Sequence, residues 1–181
     1  GNEAGASPVQ VDAMVGRYVV VADLGGSYHP ARQELQLGTD GAKLAMQLKP
    51  AFGTLTVDSD PPGAEVWLDG EPVGKTPWTD ARRRSGEHRL RVTRSLYLVH
   101  DQPVTVRDGE TTRVRPKLTA NFGGLRVESD PPGAGIRLDG KATPHATPHT
   151  FEALQAGAHV VELERAGYGR TTVRATVTVG R

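Results

Sequence analysis

SDPPGAEVWLDG (Ser59–Gly70) returns seventy positions later as SDPPGAGIRLDG (Ser129–Gly140). Two prolines in a row cannot donate to a sheet ladder, so any strand arriving at Pro61-Pro62 stops there. Gly63 can take positive φ and reverse the chain. Beyond it the residues alternate. Ala64, Val66 and Leu68 share one face, while Glu65, Trp67 and Asp69 share the other. In the second copy Ala134, Ile136 and Leu138 keep the apolar face, and Gly135, Arg137 and Asp139 replace the other. The face that is kept is the one expected to point inward. Asp69-Gly70 and Asp139-Gly140 are strong hairpin-turn dipeptides. The block therefore reads as strand, tight reversal, strand, hairpin turn.

Sliding the chain by seventy superposes more than this block. Gly16 falls on Gly86, Leu48 on Leu118, Phe52 on Phe122, Leu55 on Leu125 and Val57 on Val127. A third copy of the later half begins at Gly157. Tyr28, Tyr97 and Tyr168 then stand 12, 11 and 11 residues after their glycines. The spacing predicts three units: a partial one over residues 1–50, a complete one over 51–119, and one over 120–181 that lacks its last strand. On this reading the first unit lacks its N-terminal strands, the third has nothing matching Thr112–Leu118, and the chain looks like a piece of a longer array. Residues 1–14 are expected to be irregular, and the strand near Thr176–Val179 to leave an open edge or to take a strand from another chain.

Other segments repeat the alternating logic. Leu55 and Val57 alternate with Thr54, Thr56 and Asp58, and His88, Leu90 and Val92 with Glu87, Arg89 and Arg91. The counterparts of the latter are Tyr18, Val20, Ala22 and His159, Val161, Leu163. A residue that can be tyrosine or histidine at a core margin reads as packing. No stretch combines helical apolar spacing with helix caps. The 22 glycines and 13 prolines suit many short strands. The fold class expected is all-β: tandem small antiparallel β-sandwich domains with a repeat of about 70 residues and about six strands each. The links KPAFGT (49–54) and TANFGG (119–124) both carry Phe-Gly. A freely hinged linker has no use for a large ring, so Phe52 and Phe122 are expected to be substantially buried and the array fairly stiff. The glycines after them are expected to turn the chain into the next unit.

The block also resembles the PEGA domain, a small bacterial β-sandwich module named for a Pro-Glu-Gly-Ala motif. Here the motif reads Pro61-Pro62-Gly63-Ala64 and Pro131-Pro132-Gly133-Ala134, with proline in place of the name-giving glutamate. The Leu-Asp-Gly turns, the Thr76-Pro77 and Thr147-Pro148 pairs, Gly86-Glu87-His88 and Ala166-Gly167-Tyr168 agree with it. The resemblance implies a non-catalytic extracytoplasmic module of a bacterial envelope or surface protein, periplasmic or at the cell surface, that acts in interaction or spacing. The alternative it implies is the sensory ectodomain of a transmembrane Ser/Thr kinase. Any membrane attachment would come through the parent protein.

Chemistry is sparse. With no cysteine there is no disulfide framework and no thiolate metal site. A net charge of +1 argues against a general polyanion binder, so nucleic acid is not the expected partner. His145 and His149 have a four-residue spacing that chelates zinc on a helix, but Pro144 and Pro148 forbid one. No Gly-x-Ser-x-Gly elbow is present, and Asp58-Ser59-Asp60 reads as turn capping. No catalytic residue, cofactor or metal is expected. What remains is a candidate contact surface on the middle unit: Trp67, Trp78, Arg82, Arg83, Arg84, Arg89 and Arg91. Arg82–Arg84 are expected in a loop that reads differently in the other units. Outward aromatics among arginines suit a protein or an anionic envelope polymer. The competing explanation is a solvated face, since this unit holds ten acidic and eleven basic residues.

Overall fold

A computed structural model describes residues 9–180. The chain is all-β. The strands of its first part are β1 (Gly16–Ala22), β2 (Tyr28–His29), β3 (Ala31–Leu37) and β4 (Lys49–Pro50). The middle repeat contributes β5 (Phe52–Val57), β6 (Glu65–Leu68), β7 (Glu71–Lys75), β8 (Trp78–Arg84), β9 (Gly86–Thr93), β10 (His100–Val106) and β11 (Thr111–Val114). The last repeat contributes β12 (Phe122–Val127), β13 (Gly135–Leu138), β14 (Lys141–Ala146), β15 (His149–Gln155), β16 (Gly157–Glu164) and β17 (Thr171–Val177).

The middle repeat is a sandwich of a four-stranded sheet, β10-β9-β6-β7, and a three-stranded sheet, β11-β5-β8. The last repeat keeps the four-stranded layer as β14-β13-β16-β17 and has β12-β15 as its second layer. Contacts gather the described residues into two compact units. One draws on 9–55, 79–87 and 105–112, the other on 56–78, 88–104 and 113–180. In the first unit β1 pairs with β3 and β2 with β4. Residues 9–14 carry no strand; residues 1–8, also expected to be irregular, lie outside the described residues.

The expected faces hold. Val66, Leu68, Ala64, Ala134 and Ile136 are buried, and Leu138 is half-buried against the cluster of Val127, Ile136 and Val161. Glu65 is exposed, and Arg137 turns outward to Glu162 at 3.2 Å and to the Gly140 carbonyl at 2.7 Å. Each Asp-Gly pair makes a turn with both residues at positive φ, 54° and 89° in one copy and 49° and 76° in the other.

The repeated Ser and Thr form a clasp. Ser59 Oγ donates to the Pro61 carbonyl at 2.7 Å and shares a 2.7 Å hydrogen bond with Thr76 Oγ1, which also accepts the Ala64 amide at 3.0 Å. Ser129, Pro131, Thr147 and Ala134 repeat this geometry. The peptide bonds before Pro61, Pro77, Pro131 and Pro148 are all cis. The motif Ser-Asp-Pro-Pro-Gly is thus half of a device whose other half is the Thr-Pro pair after the hairpin.

The histidines exchanged with tyrosine are hydrogen-bonded, not merely packed. Tyr18 Oη donates to the carbonyl of Met14, four residues back, at 2.6 Å. His159 Nε2 meets the carbonyl of Gln155, also four back, at 2.7 Å, while its Nδ1 meets Asp139 of the hairpin turn at 2.7 Å. Both ring nitrogens face acceptors, so the site favours the imidazolium, and the Gln155 carbonyl first and Asp139 second raise the His159 pKa. The Val160 amide, ahead of His159, lowers that of Asp139. A raised histidine contributes stability that is full below its unfolded value and fades as pH rises through the folded one. A lowered aspartate contributes above its unfolded value and fades as pH falls through the folded one. The last repeat is therefore expected to be most stable between the lowered Asp139 and raised His159 values. Urea midpoints followed on Ile136 and Val161 methyls should decline on the alkaline side in the wild type and lose that decline in His159→Gln. Equal slopes in both proteins would show that His159 carries no such linkage.

One expectation about edges is met, and the structure adds to it. β17 does lie at the edge of its sheet, but so does β10 in the complete repeat, so that edge belongs to the fold. What differs is β12. In the middle repeat β11 lies beside β5: the Thr54 amide donates to Glu110 at 2.8 Å, Asp58 to Val114 at 2.9 Å and Asp60 to Pro116 at 3.0 Å. Both residue numbers climb together, so β11 is added parallel, as the parallel Asp60–Lys117 bridge also shows. Among the described residues β12 has no such neighbour.

Candidate interaction site

The seven residues singled out from sequence do not form one site. Trp67 stands opposite Arg91 across the β6–β9 pair. With Arg89, Gly70 and Asp101 they line a shallow depression of about 170 Å³ on the outer face. Arg89 is held there by a two-pronged pair with Asp101, at 2.9 and 3.2 Å. Trp67 is half-buried and Arg91 exposed. Trp78 does not line that depression. Its ring lies over Gly74, where a Cβ would come within 2.8 Å of Trp78 Cδ1. Arg82–Arg84 sit on strand β8, which corrects their assignment to a loop. Arg83 pairs with Asp80 at 2.9 Å, and the Arg82 guanidinium lies 4.7 Å over the Phe52 ring. The expected basic patch is in part an aromatic cover and an internal ion pair. His145 and His149 stack on one another at 3.7 Å with nearly parallel rings, and Phe151 is edge-on to both.

The more elaborate constructions are where one repeat hands the chain to the next. At the first, Tyr28 meets Phe52 edge-on at 5.9 Å, and the Ala51 amide donates to the Ser27 carbonyl at 3.0 Å. The Ala51 carbonyl accepts the Ser85 amide at 2.9 Å. Asp108 joins His29, at 2.7 Å, to the hydroxyl of Ser85, and these two contacts, the serine first, lower its pKa. At the second, Tyr97 meets Phe122 edge-on, again at 5.9 Å, and the Asn121 amide donates to the Leu96 carbonyl at 2.8 Å. The Asn121 carbonyl accepts the Ala156 amide at 2.9 Å and Gln155 Nε2 at 2.9 Å.

Phe52 and Phe122 are half-buried, less than expected: each packs at the joint against a single tyrosine ring, and Phe52 also lies under the Arg82 guanidinium. Gly53 is not a turn residue. It lies in strand β5 without positive φ, buried, and a Cβ there would sit 2.7 Å from the Glu110 carbonyl and closer still to that of Arg107. The nearly equal spacing of Tyr28, Tyr97 and Tyr168 after a glycine is the sequence signal for these joints. Nothing in spacing alone tied each tyrosine to the phenylalanine some 24 residues on.

Compared with known families, residues 52–121 and 122–181 each match the PEGA domain. The chain belongs to the PEGA domain family. The two matched PEGA repeats begin at Phe52 and Phe122, the joint phenylalanines themselves. No curated protein matches the chain. Similar solved structures include a streptococcal ancillary pilin, 14% identical over 92% of this chain and 72% of that one, with a TM-score of 0.43. Another is the Bacillus anthracis TIE protein, 16% identical over 91% of this chain and 39% of that one, with a TM-score of 0.38.

Proposed function

We propose that the chain is a non-enzymatic spacer and interaction module of a bacterial envelope or surface protein, built from PEGA repeats whose joints are fixed. The observation that carries this reading is the duplicated joint: the same edge-on Tyr–Phe pair, 5.9 Å in both places, with the same backbone hydrogen bond beside it. Aromatic pairs of this kind contribute about 0.5–1.5 kcal/mol beyond the area they cover. A passive tether would gain nothing from keeping them twice. The PEGA family supports the extracytoplasmic setting. The Trp67–Arg89–Arg91 face is the surface offered to a protein or anionic polymer, since it combines a half-open ring with guanidinium groups.

Phe122→Ser tests the reading. Removing the ring is expected to loosen the second joint while leaving both repeats folded. Small-angle scattering should then show a broader distribution of distances in the variant than in the wild type. Superimposable profiles from two folded proteins would mean that the ring does not control the joint, and the spacer reading would lose its support.

A further inference from the structure

Among the described residues the joint occurs twice filled and once open. Three turns have the same form: the amide of Tyr28, Tyr97 and Tyr168 donates to the carbonyl three residues earlier, at 3.1, 3.1 and 3.0 Å. Arg165 lies over Tyr168 at 5.3 Å as Arg94 lies over Tyr97 at 5.5 Å. The receiving half is therefore preformed in the last repeat. In the filled copies the carbonyl just before the tyrosine accepts the amide that precedes the phenylalanine. Next to it Tyr28 pairs with Pro50, and Tyr97 with Ala120. Tyr168, by contrast, is 59% exposed, and among the described residues no backbone amide reaches the Gly167 carbonyl.

A second opening leads to the first. An open groove of about 450 Å³ lies over β12 and its partner β15, lined by Phe122–Arg126, Thr150, Glu152 and Gly180, and the edge of β12 away from β15 carries no strand among the described residues. The matching edge of β5 holds β11, and the chain runs from there through Leu118 to the Tyr97 turn and on to Phe122. The run-up to this lane is already in register: the Gly180 amide donates to the Phe122 carbonyl at 3.1 Å, just as the Gly109 amide donates to that of Phe52 at 2.9 Å.

We infer that the β12 edge and the Tyr168 turn together form a docking lane for the entry segment of a further PEGA repeat on the same polypeptide. That segment would consist of a strand like Thr111–Val114 and a short link ending in Phe-Gly. The strand adds parallel to β12, taking the Gly124 and Glu128 amides as β11 takes those of Thr54 and Asp58. The phenylalanine then meets the Tyr168 ring edge-on. Both Phe-Gly segments of this chain are already engaged, so neither can fill the lane in a second copy without breaking a joint. The inference deepens the spacer reading and rests on it.

The test appends a second copy of residues 111–181 after Arg181. Hydroxyl-radical footprinting reads Tyr168, with Tyr97 as the internal standard, and amide exchange reads Gly124 and Glu128 against Thr54 and Asp58. The expected result is that Tyr168 oxidation falls to the level of Tyr97 and the two amides become as protected as their counterparts. Serine in place of the appended copy's joint phenylalanine should re-expose Tyr168 and leave the amides protected. If the appended repeat is folded, as its own core amides report, and Tyr168 stays as reactive as in the original chain, the inference is overturned. Protection of Tyr168 in the unextended chain that grows with protein concentration would also overturn it, in favour of a second copy. These readouts come from the extended lane alone, whereas scattering of Phe122→Ser concerns a joint already present, so either idea can fail without the other.

Discussion

Gly53→Ala is expected to destabilise the middle repeat by about 3 kcal/mol, the range of severe overpacking in a closed core. The new methyl would meet two backbone carbonyls, of Arg107 and Glu110, and neither belongs to a side chain that can swing aside. Relief requires β5 to move away from the 107–110 turn. That movement breaks the Thr54–Glu110 and Gly109–Phe52 hydrogen bonds and shifts Phe52 from Tyr28. One methyl should therefore register in both the repeat and the joint before it. The two tryptophans, Trp67 and Trp78, both lie in the middle repeat, so urea unfolding followed by their fluorescence reports on it selectively. A midpoint unchanged from wild type would show that β5 and the turn are not locked together at this point.

Thr76→Val should lower the same transition by about 2 kcal/mol, in the range for leaving buried polar groups unpaired. Valine has the shape of threonine, so the effect isolates the hydroxyl. Thr76 is 4% exposed and Ala64 fully buried, and water cannot replace the lost acceptor of the Ala64 amide without opening the clasp. Ser59 keeps its bond to the Pro61 carbonyl. Adding Ser59→Ala to Thr76→Val should therefore cost less than the sum of the two single changes, because they remove one network. Thr147→Val, placed identically in the last repeat, should leave the tryptophan transition far less affected. If Thr76→Val proves neutral, the clasp is an accompaniment of the fold rather than a support of it.

The fold was legible because its signals are local and repeated. Alternation in Ala64–Leu68, a proline stop before it and an Asp-Gly turn after it each demand one backbone shape, and the second copy shows which face is constrained. The functional features were harder to read because they depend on partners distant in sequence. Thr76 was visible as a matching Thr-Pro, but not as the acceptor for Ala64. His159 was visible as an exchange for tyrosine, and only the structure shows what the two residues share, a donor aimed four residues back. Gly53 was assigned flexibility because glycine permits it, although its role here is the absence of a side chain. Arg82 and Arg83 looked like a surface charge run because sequence does not show that Phe52 and Asp80 lie beneath and beside them. Parallel addition of β11 left no local trace at all, since a strand's direction relative to its neighbour is set by the path between them.

The clasp has a consequence for how such repeats can change over time. Ser59 and Thr76 are 17 residues apart, Ser129 and Thr147 are 18, and both pairs close. The additional residue is absorbed in the hairpin between them, where β7 has five residues and β14 six and the pairing slips by a bulge in each. Since the ends are tied independently of what lies between, the hairpin can gain or lose residues without disturbing the core beneath it. It is the place in each module where lineages can diverge in length, and where a foreign peptide could be grafted with the surrounding architecture left intact.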